Sequence, residues 1–345
     1  MFPLVLVGGF LLFLLWSQVI RPRVAASDLP EGALYTLRNG HRGVDAVGFF
    51  ANGNFVTDGS AGGLVHAAAD GSELAKLATG SANHRFRLAP DRSELAAFST
   101  VSPEVRFFSP EGAPAGSWSL PEELRPLDLA WLPNIKCLAV ASREGIDFFR
   151  RSDGSRATSL PDSAACSHLA ASADGRWLVA YRFREARLSV WPLADIQQRV
   201  DFAGLEAPLF ALAADGSRLA FRQQGRTVCY HLPMSDSPQP QVIEEDRPLS
   251  ALSFDPTGQF LALGDAAGQV TVVDTSVKEG KAALVLGPWS HPRPIASLAF
   301  SVKGDRLLVG LNHEASAVQH RPGGIAHSRS VDVRPGYAVM WEIPK

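Results

Sequence analysis

The chain has little of several things that would narrow its chemistry. It carries three cysteines in 345 residues, Cys137, Cys166 and Cys229, with no CxxC pair and no Cys/His spacing of the kind that zinc or covalent haem needs. Each sits in an apolar, strand-like run, where a thiol behaves as a small hydrophobe, so a disulfide framework is not expected. Charge of one sign is also missing. The 33 basic and 35 acidic side chains leave a formal net charge of -2, which excludes the broad electrostatic pull of a nucleic-acid binder. Linear catalytic signatures are absent too: there is no GxSxG elbow, no P-loop, no HExxH and no GxGxxG after a strand. The enzyme classes that depend on those motifs lose their support, and no catalytic residue, metal or cofactor is assigned.

What is present describes a folded chain with many turns. Hydrophobic residues make up 46%, beside 30 glycines and 24 prolines, too apolar a mix for a disordered polymer. Residues 1–20, MFPLVLVGGFLLFLLWSQVI, contain no charge. As a helix rising about 1.5 Å per residue, such a run spans the roughly 30 Å hydrocarbon core of a bilayer. Residues 1–23 are therefore expected to form a transmembrane helix, with the remainder, 24–345, as the folded body. A cleavable signal peptide is the competing reading, because Val24, Ala25 and Ala26 precede Ser27. Against it, the apolar run is long, no basic residue precedes it, and Arg21 and Arg23 fall between the run and the cut. Those arginines favour a single-pass protein with its body on the cytoplasmic side. Signal cleavage would instead give a periplasmic or secreted one.

Beyond residue 41 one pattern recurs: an apolar strand, a polar turn, a second apolar strand, a short loop and a third strand. Copies start near residues 44, 84, 127, 167, 209, 250 and 296, among them SHLAASADGRWLVAYRF, LFALAADGSRLAFRQQG and SALSFDPTGQFLALGDA. The turn falls at Gly53, Arg92, Ile135, Gly175, Gly216, Gly258 and Gly304, a spacing of roughly 40 to 45 residues that suits propeller blades. Helical repeats of similar length would show a 3.6-residue period, which these runs lack. The fold class is read as all-β, a seven-bladed β-propeller. Ala33 to Leu37 form a spare strand before the first copy, while the last copy ends at Ala338 to Glu342. The spare strand is expected to complete blade seven and latch the ring.

The chain here resembles the WD40 family over roughly residues 31–345. Asn39, Gly40 and His41, followed by residues 44–60, look like that family's Gly-His loop and first strands. Trp191-Pro192, Val273-Asp274 and Trp341-Glu342 resemble its terminal Trp-Asp. Gly-His occurs once, so packing of Phe, Leu, Val and Ala, rather than the family's Asp/His/Ser/Trp network, is expected to hold the blades. The resemblance implies that loops joining strands two and three share one face with those joining successive blades.

On that face three neighbouring blades carry arginine: Arg143 in blade three, Arg182, Arg184 and Arg187 in blade four, Arg222 and Arg226 in blade five. Planar guanidinium donors suit carboxylate or phosphate recognition. A plain solvated face is the competing account. Blade seven holds an insertion at 312–336, with His313, His320, Arg321, His327 and Arg329. Loops of this length usually serve a function or lack order. Contact with a partner is favoured over metal binding, since histidines seven residues apart would need the loop to fold around an ion. The expected function is a membrane-anchored scaffold for a protein partner, one bearing acidic groups if the arginines make the contact, with no nucleic acid involved. The alternative is a channel-centred hydrolase, lactonase or metal-dependent enzyme. The scaffold predicts small apolar residues on the inner strands, such as Leu169, Ala170, Ala171 and Leu212 to Ala214. The enzyme predicts at least three carboxylates or histidines converging at the channel mouth.

Overall fold

The computed structural model describes residues 33–37, 43–59, 63–77, 84–205, 207–234, 239–243, 248–277, 281–286, 293–312 and 337–343. Each of the first six repeats forms a four-stranded antiparallel sheet whose strands lie in chain order. Blade one comprises β2(Val44–Phe49), β3(Phe55–Gly59), β4(Leu64–Ala67) and β5(Glu73–Leu77). Blade two follows with β6(His84–Leu88), β7(Leu95–Ser99), β8(Ser102–Phe108) and β9(Pro114–Ser119). Blade three has β10(Asp128–Leu132), β11(Cys137–Ala141), β12(Ile146–Arg150) and β13(Arg156–Leu160). Blade four has β14(Cys166–Ala171), β15(Trp177–Arg182), β16(Arg187–Pro192) and β17(Val200–Ala203). Blade five has β18(Phe210–Leu212), β19(Arg218–Gln223), β20(Arg226–His231) and β21(Gln241–Ile243), and blade six β22(Leu249–Phe254), β23(Phe260–Asp265), β24(Val270–Asp274) and β25(Lys281–Leu286).

Blade seven joins the two ends of the chain. Its strands β26(Ile295–Phe300), β27(Arg306–Leu311) and β28(Ala338–Glu342) are completed by β1(Ala33–Leu37), which lies antiparallel to β28 with Leu37 opposite Ala338. The expected latch is thus formed, and the ring has no open gap between its last sheet and its first.

Packing explains why this sequence closes into a ring. The described residues contain seven apolar cores, and each is built from two neighbouring blades. At the closing seam Phe49, Phe55 and Ala67 of blade one pack on Leu308, Ala338 and Met340 of blade seven. A second strand is sandwiched on both faces, so β3, β7 and β11 are buried along their whole length. That is why β11 and Leu95–Phe98 of β7 read as unbroken apolar runs rather than alternating ones, while β3 also buries Thr57 and Asp58. Each fully buried Leu or Phe contributes about 1.5–3 kcal/mol, spread evenly around the circle.

Two features depart from the sequence reading. The copies showed three strands, whereas blades one to six each carry a fourth, outer strand of their own. These outer strands are wet: β9 and β13 are mostly exposed, which erases the periodicity that would have marked them. The turn position in blade three is Lys136 rather than Ile135. Lys136 donates its backbone N–H to Pro133 O, and the matching bonds in the other blades come from Gly53, Arg92, Gly175, Gly216, Gly258 and Gly304. All seven adopt positive φ, between 52° at Lys136 and 88° at Gly53. The expected membrane span at residues 1–20 lies outside the described residues. Among those described, no helix is long and apolar enough to cross a membrane.

Candidate functional site: the bore and the loop face

The inner strands surround a bore of about 530 Å³. Leu169, Ala170, Ala171, Leu212 and Ala214 line it, as the scaffold reading expects, together with Phe86, Trp131 and Leu298. Ala213 is an exception among the residues named beforehand: it is fully buried in the core between blades five and six.

The wall also carries Arg87, Asp91, Arg92 and Ser253. Arg87, on β6, donates from Nη2 to Asp128 Oδ2 at 2.7 Å. Asp128 is completely buried at the start of β10, and its carboxylate also accepts the backbone N–H of Leu129 at 2.8 Å and of Leu169 at 2.9 Å. One carboxylate thereby ties blades two, three and four. Nearby, burial lowers the pKa of His168, partly countered by the negative charge of Asp128. Its Nδ1 lies 2.9 Å from Ser167 Oγ. In blade one Asp58, on β3 and outside the bore lining, is 6% exposed; burial and the neighbouring Asp45 raise its pKa to about 7 against a backbone hydrogen bond from Gly59 and the positive charge of Arg85. Among the described residues no group of three or more His, Cys, Asp or Glu side chains could hold a metal ion. The cysteines are buried free thiols, and burial pushes Cys166 up to about 12 and Cys229 up to about 11, far from thiolate chemistry.

The arginines of the loop face have unequal surroundings. Arg182 closes β15 and donates to Asp162 O at 3.0 Å and to Glu185 Oε1 at 2.7 Å. Arg187 donates to Asp201 Oδ2 at 3.3 Å and lies 3.7 Å from Glu185. Arg199, not singled out from the sequence, adds a 3.3 Å ion pair to Asp201 and a bond to Asp162 O. This web consumes much of the charge of Arg182 and Arg187 within blade four. Arg184 is exposed at the β15–β16 turn and makes no ion pair among the described residues. Arg143, in the β11–β12 loop, and Arg226, at the start of β20, are exposed, while Arg222 is half-buried. The insertion candidates His313, His320, Arg321, His327 and Arg329 lie outside the described residues.

Sequence reasoning passed over two apolar residues on this face. Phe183, 40% exposed, stands beside Arg184, and Val101, 56% exposed, occupies the β7–β8 turn. An aromatic between two arginines was a visible signal, but the charges drew the attention. Asp128 was also missed, although a carboxylate opening the apolar run Leu129–Leu132 marks a buried, satisfied charge.

Seven four-stranded sheets sharing seven cores around a bore, closed by a strand from the other end of the chain, define a seven-bladed β-propeller. Solved structures give the same fold. The β-propeller domain of Cps50 (Swd1) from Myceliophteria thermophila matches with a TM-score of 0.69 at 13% identity, covering 91% of this chain and 100% of that one. The WD40 repeats of RRP9 match with a TM-score of 0.66, also at 13% identity, covering 89% and 97%. No family model and no curated protein sequence matches the chain.

Proposed function

We propose that the propeller is a binding platform that docks a protein partner on the loops between the second and third strands of blades two to five. The observation that carries this reading is the exposed pair Phe183 and Arg184 at the tip of blade four. Aromatic and arginine side chains together are the residue types that dominate binding energy at protein interfaces. Val101, Arg143 and Arg226 occupy the corresponding loops of blades two, three and five. Guanidinium groups there favour acidic side chains on the partner. The apolar segment 1–20 would hold this platform at a membrane, with Arg21 and Arg23 favouring the cytoplasmic side. A channel-centred enzyme would need carboxylates or histidines gathered at the bore, and the lining among the described residues holds one carboxylate, Asp91, and no histidine.

Site-specific photocrosslinking in cells tests the reading. A photoreactive phenylalanine at position 183 should give one discrete protein adduct, lost when Arg184→Glu is added. The same probe at Ile135, exposed on the opposite face, should not give that adduct. Identical adducts from both positions, or none from 183, would overturn the reading.

A further inference from the structure

The turn-side end of the bore holds a cation without a matching anion. Arg92 lies in the β6–β7 turn and lines both the bore and an adjoining pocket of about 240 Å³, formed with Leu212, Ala214, Ser253, Pro256 and Phe300 of blades five to seven. Its guanidinium donates from Nη1 to the neutral carbonyl of Phe49 at 3.2 Å. No described carboxylate pairs with it. The neighbouring Asp91 turns its Oδ1 onto the N–H and Oγ of Ser93. Asp255, on the pocket wall, accepts from Thr257 and from the Phe260 N–H. Ser253, which lines both cavities, spends its hydroxyl only on a long 3.4 Å bond to Phe254 O.

Backbone geometry adds an independent point. Five of the seven equivalent turns use glycine at this position, where φ is positive; the exceptions are Lys136 at φ 52° and Arg92 at φ 60°, and of the two only Arg92 lines the bore. Glycine is the unstrained choice there, so a strained arginine whose side chain enters a cavity points to a use for that side chain. Partial burial in the bore also lowers the pKa of Arg92, a cost that an anion would relieve.

From these observations we propose that the bore binds a small aliphatic carboxylate, with the carboxylate on Arg92 and Ser253 and the hydrocarbon body along Leu212, Leu169 and Ala170. The bore's volume is in the range of ordinary small-molecule sites, which are also mostly apolar with a few placed polar groups. The site lies on the face opposite the Phe183 surface and does not depend on the scaffold reading.

Equilibrium dialysis of radiolabelled octanoate against the purified full-length chain in digitonin tests it, with protein-free micelles as background. Wild type should bind octanoate saturably, and hexanoate more weakly by about fourfold for each methylene removed. Arg92→Asn should weaken octanoate ten- to hundredfold, the loss of a charge-assisted hydrogen bond, while octanol binding stays the same in both proteins. Asparagine tolerates positive φ, so the turn is retained. Ala170→Phe, which obstructs the bore and leaves Arg92 intact, should also abolish octanoate binding. No saturable binding by wild type, undiminished binding by Arg92→Asn, or undiminished binding by Ala170→Phe would each overturn the proposal.

Discussion

Arg87 and Arg92 belong to the same blade and line the same bore, yet their surroundings are opposite. Arg87 meets a fully buried carboxylate that two backbone N–H groups from neighbouring blades also satisfy. Arg92 meets one carbonyl and stands in a strained turn. A buried charge with every partner in place belongs to the architecture. A charge left with a single neutral acceptor has room for something from outside. The same contrast divides the loop face, where Arg182 and Arg187 are tied to Glu185 and Asp201 while Arg184 is not. Arginine in a sequence therefore marks no site until its acids are located.

The sharpest way to break this contrast is to remove the anion from the satisfied end. Asp128→Ala strands Arg87 and two backbone N–H groups, and it should destabilise the propeller by about 3 kcal/mol, seen as a lower urea midpoint with an unchanged slope. An effect of similar size, dependent on pH, is expected at Asp58. Its folded pKa of about 7 lies above the roughly 3.9 of an unfolded aspartate, so the native state holds the extra proton between those values. Stability is then greatest below about pH 4 and falls as pH rises through 7. Asp58→Asn should flatten that decline in urea titrations at pH 4.5, 6 and 7.5, and an unchanged decline would assign it to other groups. The smallest effect belongs to Arg92. Arg92→Asn removes no ion pair and keeps a residue that accepts positive φ, so stability without ligand should stay within about 0.5 kcal/mol of wild type. A loss as large as that of Asp128→Ala would make Arg92 a structural charge after all.

Much of the ring was readable because its turns and second strands leave strong local marks. Asp215-Gly216-Ser217 and Thr257-Gly258 announce tight hairpins, and buried stretches such as Leu95–Phe98 are unbroken apolar runs. Outer strands escaped because they are short and wet. In Pro114–Ser119 exposure removes the periodicity, and Gln241–Ile243 has three residues. The arginine arc was visible as composition, but the pairing of Arg187 with Asp201, fourteen residues away, depends on the register of β16 against β17. Arg92 stood in the glycine column of the repeats and looked like ordinary degeneracy. Only a cavity shared by inner strands from all seven blades gave its side chain a meaning.

Closure by β1 also has a consequence in time. During synthesis the strand Ala33–Leu37 leaves the ribosome early, but its partner β28 ends at Glu342. At roughly 5–20 residues per second, the first strand to be made waits on the order of 15–60 seconds for the last. Throughout that interval the nascent chain offers an unmatched backbone edge at its leading end and an unfinished sheet at its trailing end. Chaperones that cover extended strands would have their clearest opportunity here, before the circle exists.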